Sequence, residues 1–180
     1  MKKISVIFFL LCLISILIFN KFKKENINIL YIGDNRVFYN YIKNIEYYDV
    51  NRYTYDNILY SKIEDEIKSN SYKIIKDKEV FLNQLISKSD IVILSANNFE
   101  YKNKCRKSNR ILNDYDNNIS DDINNLVRTI NKISRAKVII LGNTCGNKKY
   151  NQKLNLNNST YVNYENIDNL GEIIGKIVNN

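Results

Sequence analysis

The chain contains no histidine, no proline and no tryptophan, and only three cysteines among its 180 residues. Without histidine, the Ser-His pair of the common hydrolases cannot be built, and a cysteine nucleophile lacks its usual base. Zinc sites in proteins draw mainly on histidine and on closely spaced cysteines, and neither is present here. We therefore predict no metal site and no cofactor.

The net charge of +8 is distributed over lysines that are scattered along the whole sequence. No recognised nucleic-acid motif accompanies them, so we predict no nucleic-acid partner. Attraction to an anionic lipid surface or to an anionic cell-wall polymer explains this excess of positive charge more simply.

A long uncharged run, Ile4 to Phe19, lies between lysines on both sides. As a helix it would span about 24 Å, and flanking lysines that snorkel can cover the rest of a bilayer core of about 30 Å. A cleaved signal peptide is the alternative, but no small-residue cleavage site follows the run. We predict that residues 1–27 form a single-pass anchor with its juxtamembrane segment. Flanking charges are nearly balanced, but Lys2 and Lys3 directly before the run are typical of export, so we expect an extracytoplasmic domain.

The remaining residues, 28–180, alternate short apolar runs with amphipathic stretches, which is typical of an α/β domain with a mostly parallel sheet. We predict strands at 28–32, 90–94 and 137–141, with a weaker strand near 160–164. Helices are predicted at 36–44, 56–68, 78–88, 120–134 and 170–178.

The residues that follow the three main strands carry the functional information, because ligands of parallel sheets bind beyond the carboxyl ends of the strands. These segments are Gly33-Asp34-Asn35, Ser95-Ala96-Asn97-Asn98 and Gly142-Asn143. The arrangement resembles the SGNH/GDSL hydrolase family, whose first block is Gly-Asp-Ser after a strand and whose third block is Gly-x-Asn-Asp. The resemblance implies a three-layer α/β/α sandwich of flavodoxin-like type.

Carried over residue by residue, the resemblance implies a degenerate member of that family. Asn35 stands where the nucleophilic serine belongs, Ser95 replaces the oxyanion-hole glycine, and Asn98 replaces the aspartate. Asn97 matches the asparagine that completes the oxyanion hole. The final Asp-x-x-His block is missing, so no catalytic residue set is intact.

The resulting hypothesis is a membrane-anchored pseudo-hydrolase that binds an acylated or glycan cell-envelope ligand, or a partner protein. Its vestigial cleft would contain Asp34, Asn35, Ser95, Asn97 and Asn98. One alternative is an active acyl-hydrolase with a non-standard nucleophile such as Ser95. Another is a structural subunit of a membrane complex.

Several individual features also permit a second interpretation. Gly33-Asp34 is a common strand-to-helix turn, and Asn97 can bond to its own turn instead of a ligand. Cys105 and Cys145 can pair outside the cytoplasm or stay unpaired. The tyrosines after the first strand form either a wall-facing surface or part of the core; they are Tyr39, Tyr41, Tyr47, Tyr48, Tyr53, Tyr55 and Tyr60.

Overall fold

The computed structural model describes most of the chain after the apolar run. It describes residues 27–43, 45, 48–56, 59–75, 77–95, 109–142, 158–163 and 168–178. No helix within these ranges is long and apolar enough to cross a membrane. The predicted anchor lies outside the described residues, so it stays a prediction.

Five parallel strands form the central sheet, and a separate antiparallel hairpin accompanies it. The strands are β1 (Ile29–Asp34), β2 (Val50–Tyr55), β3 (Tyr72–Ile75), β4 (Lys78–Phe81), β5 (Ile91–Ser95), β6 (Lys137–Gly142) and β7 (Ser159–Asn163). The order across the sheet is β2-β1-β5-β6-β7, and β3 pairs with β4 in the hairpin. Counting only sheet strands, this is the 2-1-3-4-5 order of flavodoxin-like α/β domains.

Helices flank both faces of the sheet. They are α1 (Asn35–Val37), which continues as a π-helical segment (Phe38–Ile42), then α2 (Tyr60–Lys68), α3 (Leu82–Ser87), α4 (Asn109–Ile133) and α5 (Leu170–Val178). The 25 residues of α4 make it the longest helix in the described ranges.

The core consists of two apolar layers, one on each face, because successive strand residues point to opposite sides of the sheet. Leu30 and Ile32 of β1 pack toward α2, α3 and α4. Ile29 and Tyr31 of the same strand pack toward α1 and α5. Both faces of β1 and β5 are covered, which explains why these strands are continuous apolar runs rather than alternating ones.

The three main predicted strands are confirmed as adjacent and parallel, since β1 pairs with β5 and β5 pairs with β6. The weaker strand is β7, and the predicted helix over 170–178 is α5. The helix predicted over 78–88 is wrong in its first part, because residues 78–81 form β4 and α3 begins only at Leu82. Pairing with β3, including a contact between the Tyr72 and Phe81 rings at 5.5 Å, outweighs the helical spacing of the apolar residues.

Two further strands were absent from the predicted set. One is β2, an edge strand whose sequence mixes polar and aromatic residues, and the other is β3 of the hairpin. Neither strand is buried on both faces, so neither requires the continuous apolar run that identifies a buried parallel strand.

Truncating a buried leucine of the central sheet should destabilise the protein more than truncating an exposed residue of the hairpin. Leu94 in β5 is fully buried, whereas Ile74 in β3 is 71% exposed. We expect Leu94→Ala to lower the free energy of unfolding by about 2–5 kcal/mol through lost burial and a residual cavity. The control Ile74→Ala should cost about 0.5 kcal/mol or less. Chemical denaturation of both variants measures this, and equal losses would contradict the placement of the core.

Candidate functional site

The carboxyl ends of β1 and β5 meet at an unusually close approach. Gly33 lies opposite Ser95 in the strand register. A Cβ atom added to Gly33 would stand 1.9 Å from the Ser95 carbonyl oxygen, so only glycine fits between the two backbones. Asp34, which follows Gly33, therefore lies beside the end of β5.

Asp34 and Asn35 follow this close approach directly. Asp34 is buried, with only 4% of its surface exposed, and its carbonyl oxygen accepts a hydrogen bond from the Tyr31 hydroxyl at 2.8 Å. Asn35 is partly exposed and is the first residue of α1. The Tyr31 hydrogen bond fixes the backbone just where the chain turns from strand into helix.

A switch point lies between β1 and β5, because the described elements that come after these two strands pack on opposite faces of the sheet. The segment after β1 packs on one face of the sheet through Val37 and Phe38. The helix α4, which comes after β5, packs on the opposite face through Leu126 and Ile130. In open parallel sheets such a switch point is where ligands bind.

Ser95 is fully buried at the end of β5. In this position its hydroxyl is covered by protein, so a substrate cannot approach it without local rearrangement. Asn97 and Asn98, the other predicted cleft residues, lie outside the described residues, as do Cys105 and Cys145. The structure thus brings together Asp34, Asn35 and Ser95 of the predicted set, and leaves Asn97 and Asn98 as predictions.

Tyr161 extends the candidate site to the end of β6. A Cβ atom added to Gly142 would stand 1.7 Å from the Tyr161 hydroxyl oxygen, so the phenol ring covers the end of β6 where a side chain would otherwise be. Burial raises the pKa of Tyr161 to about 12, so its hydroxyl remains a neutral donor at physiological pH. Sequence reasoning did not select Tyr161, although the alternation in Ser159–Asn163 would have placed it on the same side of the strand as Ser159.

A tyrosine-lysine cluster, consisting of Tyr53, Tyr55, Glu66 and Lys73, lies one strand away from the site. Tyr55 pairs in register with Asp34. The Tyr55 hydroxyl donates to Glu66 Oε2 at 2.6 Å, and the Tyr53 hydroxyl reaches the same oxygen at 3.5 Å. Lys73 Nζ lies 3.0 Å from the centre of the Tyr55 ring and donates to the Thr54 carbonyl oxygen at 2.9 Å.

Burial shifts the pKa values of the residues in this cluster. Burial lowers the pKa of Lys73 to about 8, although the charges of Glu66 and Asp56 partly offset it. Burial, together with the hydrogen bonds and charge of Glu66, raises the pKa of Tyr53 and Tyr55. A half-buried amine with a lowered pKa is the usual form of a reactive lysine, but here the ammonium is occupied by the Thr54 carbonyl and two aromatic rings.

Most of the described tyrosines that follow the first strand are buried or partly buried. Tyr53 and Tyr60 are buried, and Tyr48 and Tyr55 are partly buried. Tyr39 is 46% exposed, and its hydroxyl accepts a hydrogen bond from Arg52. The side chains of Tyr41 and Tyr47 are not described. Among the described members, the set is therefore mostly core rather than a continuous aromatic surface.

Comparison with known proteins adds no assignment to this geometry. No protein-family model matches the chain, and no curated protein matches it.

Adding a methyl group at Gly33 should disrupt the approach of β1 to β5. We expect Gly33→Ala to lower the free energy of unfolding by about 3 kcal/mol or more, because backbone atoms on both sides must move. Gly175→Ala in α5 is the matched control. Its Cβ would meet nothing closer than 3.6 Å, and alanine favours the helix by up to about 1 kcal/mol. Thermal unfolding followed by circular dichroism compares them, and a Gly33→Ala variant as stable as the native chain would contradict the register.

The lowered pKa of Lys73 predicts a specific pH dependence of stability. Between pH 8 and 10 the unfolded chain holds the Lys73 proton while the folded chain releases it, so stability should rise with pH in this window. Lys73→Met removes the titrating amine and keeps an apolar side chain. The free energy of unfolding of the native chain should therefore increase relative to the variant from pH 8 to 10. Parallel curves in urea denaturation would show that Lys73 has an ordinary pKa.

Proposed function

We propose that the chain is a membrane-anchored, extracytoplasmic domain of the SGNH/GDSL type that has lost catalysis and retains ligand binding. In this proposal residues 1–27 anchor the protein, and residues 28–180 form a three-layer α/β/α sandwich. The ligand is an acylated or glycan component of the cell envelope, and a partner protein is the alternative occupant. The Gly33-Asp34-Asn35 turn and the asparagines that follow β5 in the sequence would contact it.

The observation that carries the proposal is the position of Asn35. It is the first residue after β1, beside the end of β5, at the switch point of a sheet with 2-1-3-4-5 order. In the family that the sequence resembles, this is the position of the nucleophile. An asparagine amide is no nucleophile, but it donates hydrogen bonds to acyl and sugar oxygens.

The burial of Ser95 supports binding over catalysis. A serine nucleophile must reach its substrate and needs an adjacent base, whereas Ser95 is fully covered and the chain has no histidine. We expect the full chain to hydrolyse p-nitrophenyl acetate no faster than a buffer blank does. Turnover that disappears in Ser95→Ala would contradict the pseudo-hydrolase proposal.

Asn35 offers a direct test of ligand binding. The probe is the tetramer of N-acetylglucosamine, observed by saturation-transfer NMR with the detergent-solubilised full chain. Asn35→Asp replaces a donor amide by an acceptor-only carboxylate, and it should weaken binding by about tenfold, equivalent to one lost hydrogen bond. Asn51→Asp, the same change at an exposed position of β2, should leave binding unchanged. Equal effects of the two variants, or no binding by the native chain, would overturn the proposed ligand.

One observation favours the structural-subunit alternative. The β3–β4 hairpin exposes Tyr72 at 51% and Ile74 at 71%, an apolar pair of the kind that contacts protein partners. If the glycan probe fails to bind, a native membrane complex that is lost in Ile74→Glu and retained in Lys78→Glu would favour this alternative.

A further inference from the structure

A compact basic surface lies where β5 and β6 of the central sheet begin. All five sheet strands are parallel, so they all begin at one edge and all end at the other. At the amino edge, exposed Asp49 precedes β2, whereas basic side chains gather at the start of β5 and β6.

The basic edge, as we call it, consists of Lys88, Lys132, Arg135 and Lys137, all of them exposed. Lys132 and Arg135 line an open polar cavity of about 620 Å³, together with Asp90 and the serines on both sides of Lys88. The backbone N–H of Lys137 donates to the Asp90 carbonyl oxygen at 2.9 Å. Lys132 and Arg135 thus line the cavity, and Lys88 and Lys137 are neighbours in the sequence of residues that line it.

The chain enters the domain beside this surface. The Asn28 N–H donates to Asp90 Oδ2 at 2.8 Å, and the Asp90 N–H donates back to the Asn28 carbonyl oxygen at 2.8 Å. Through these bonds Asp90, the acidic residue that lines the cavity, holds the residue directly before β1. The cations around it exceed its single negative charge by three.

The distance to the membrane is limited by the sequence. Eight residues, 20–27, separate Phe19, the last residue of the apolar run, from Asn28. With residues 1–27 as the proposed anchor, this tether of at most about 30 Å joins the domain at the amino edge. The carboxyl edge, which holds the candidate cleft, is at the opposite end of the strands.

An apolar contact accompanies the cations. Ile133 is 38% exposed and lines the same cavity between Lys132 and Arg135. Cations combined with an exposed aliphatic side chain are the combination that peripheral surfaces use at the headgroup region of a bilayer.

We propose that the basic edge binds anionic lipid headgroups and so holds the domain against the bilayer with its candidate cleft facing away. The proposal rests on the membrane anchor of the proposed function, but it does not depend on the identity of any ligand in the cleft. Each lysine or arginine near an anionic surface strengthens binding by about fivefold at moderate ionic strength. Four together dominate the orientation of a tethered domain.

The test uses the full chain reconstituted into two kinds of vesicle, phosphatidylcholine alone and phosphatidylcholine with 30 mol% phosphatidylglycerol. Exposed lysines are acetylated briefly, and modification of each lysine is read by mass spectrometry. We expect Lys88 and Lys137 to react about fivefold more slowly in the phosphatidylglycerol vesicles, and to recover in 1 M NaCl, where the Debye length is about 3 Å. Lys62, in the first turn of α2, should react equally in both.

Two double variants that each remove two positive charges show whether the protection depends on the basic edge or on charge elsewhere. Lys132→Gln with Arg135→Gln should abolish the protection of Lys88 and Lys137. Lys62→Gln with Lys78→Gln, which removes the same charge elsewhere, should preserve it. Circular dichroism on both variants shows whether the fold is retained.

The remaining outcomes separate the two proposals. A chain that floats with both vesicles but shows equal labelling of Lys88 and Lys137 in each overturns the basic edge and leaves the anchor standing. A chain that floats only with phosphatidylglycerol vesicles supports the basic edge and contradicts the anchor. A chain that floats with neither overturns both.

Discussion

The pairing of β1 with β5 is the interaction on which the rest of this molecule depends. Both strands are buried along their whole length, so their backbone groups must be satisfied by each other and by the adjacent strands. Gly33 lets the two backbones approach more closely than any side chain would permit. That approach brings Asp34 and Asn35 beside the end of β5. The core, the strand register and the candidate site therefore all depend on this close approach of β1 to β5.

The parallel arrangement of the sheet also separates the two functions that we propose. Because all strands start at one edge, the entry of the chain and the basic edge lie together, with Asp90 bonded to Asn28 between them. Because all strands end at the other edge, Asn35 and the Tyr161 ring, which covers Gly142, both lie toward that edge. Binding of lipid at one edge and of a ligand at the other would not compete for the same surface. A meander of antiparallel strands would have placed strand starts and strand ends at both edges.

The outer strand β2 illustrates how this fold protects an exposed sheet edge. Edge strands present unpaired carbonyl and N–H groups that invite association with other chains. Here Lys73 reaches from the hairpin to the Thr54 carbonyl, and its ammonium lies against the Tyr53 and Tyr55 rings. Glu66 accepts from the tyrosine hydroxyls and supplies the opposing charge. The lowered pKa of Lys73, which is typical of a reactive lysine, is therefore explained by its position against the exposed edge of β2.

The sequence by itself determined the buried strands, because a strand covered on both faces must be a continuous apolar run, as Ile91–Leu94 and Val138–Leu141 are. It also selected Gly33, Asp34 and Asn35, since their position after such a run marks a strand end. It did not reveal β2, the hairpin or Tyr161, because half-exposed strands carry mixed residues whose pairing depends on distant partners. Lys73 meets Tyr55 across 17 intervening positions, and the basic edge joins residues from 88 to 137. Only the tertiary structure decided those contacts, because attraction and packing between side chains act through space, while periodicity is read along the chain.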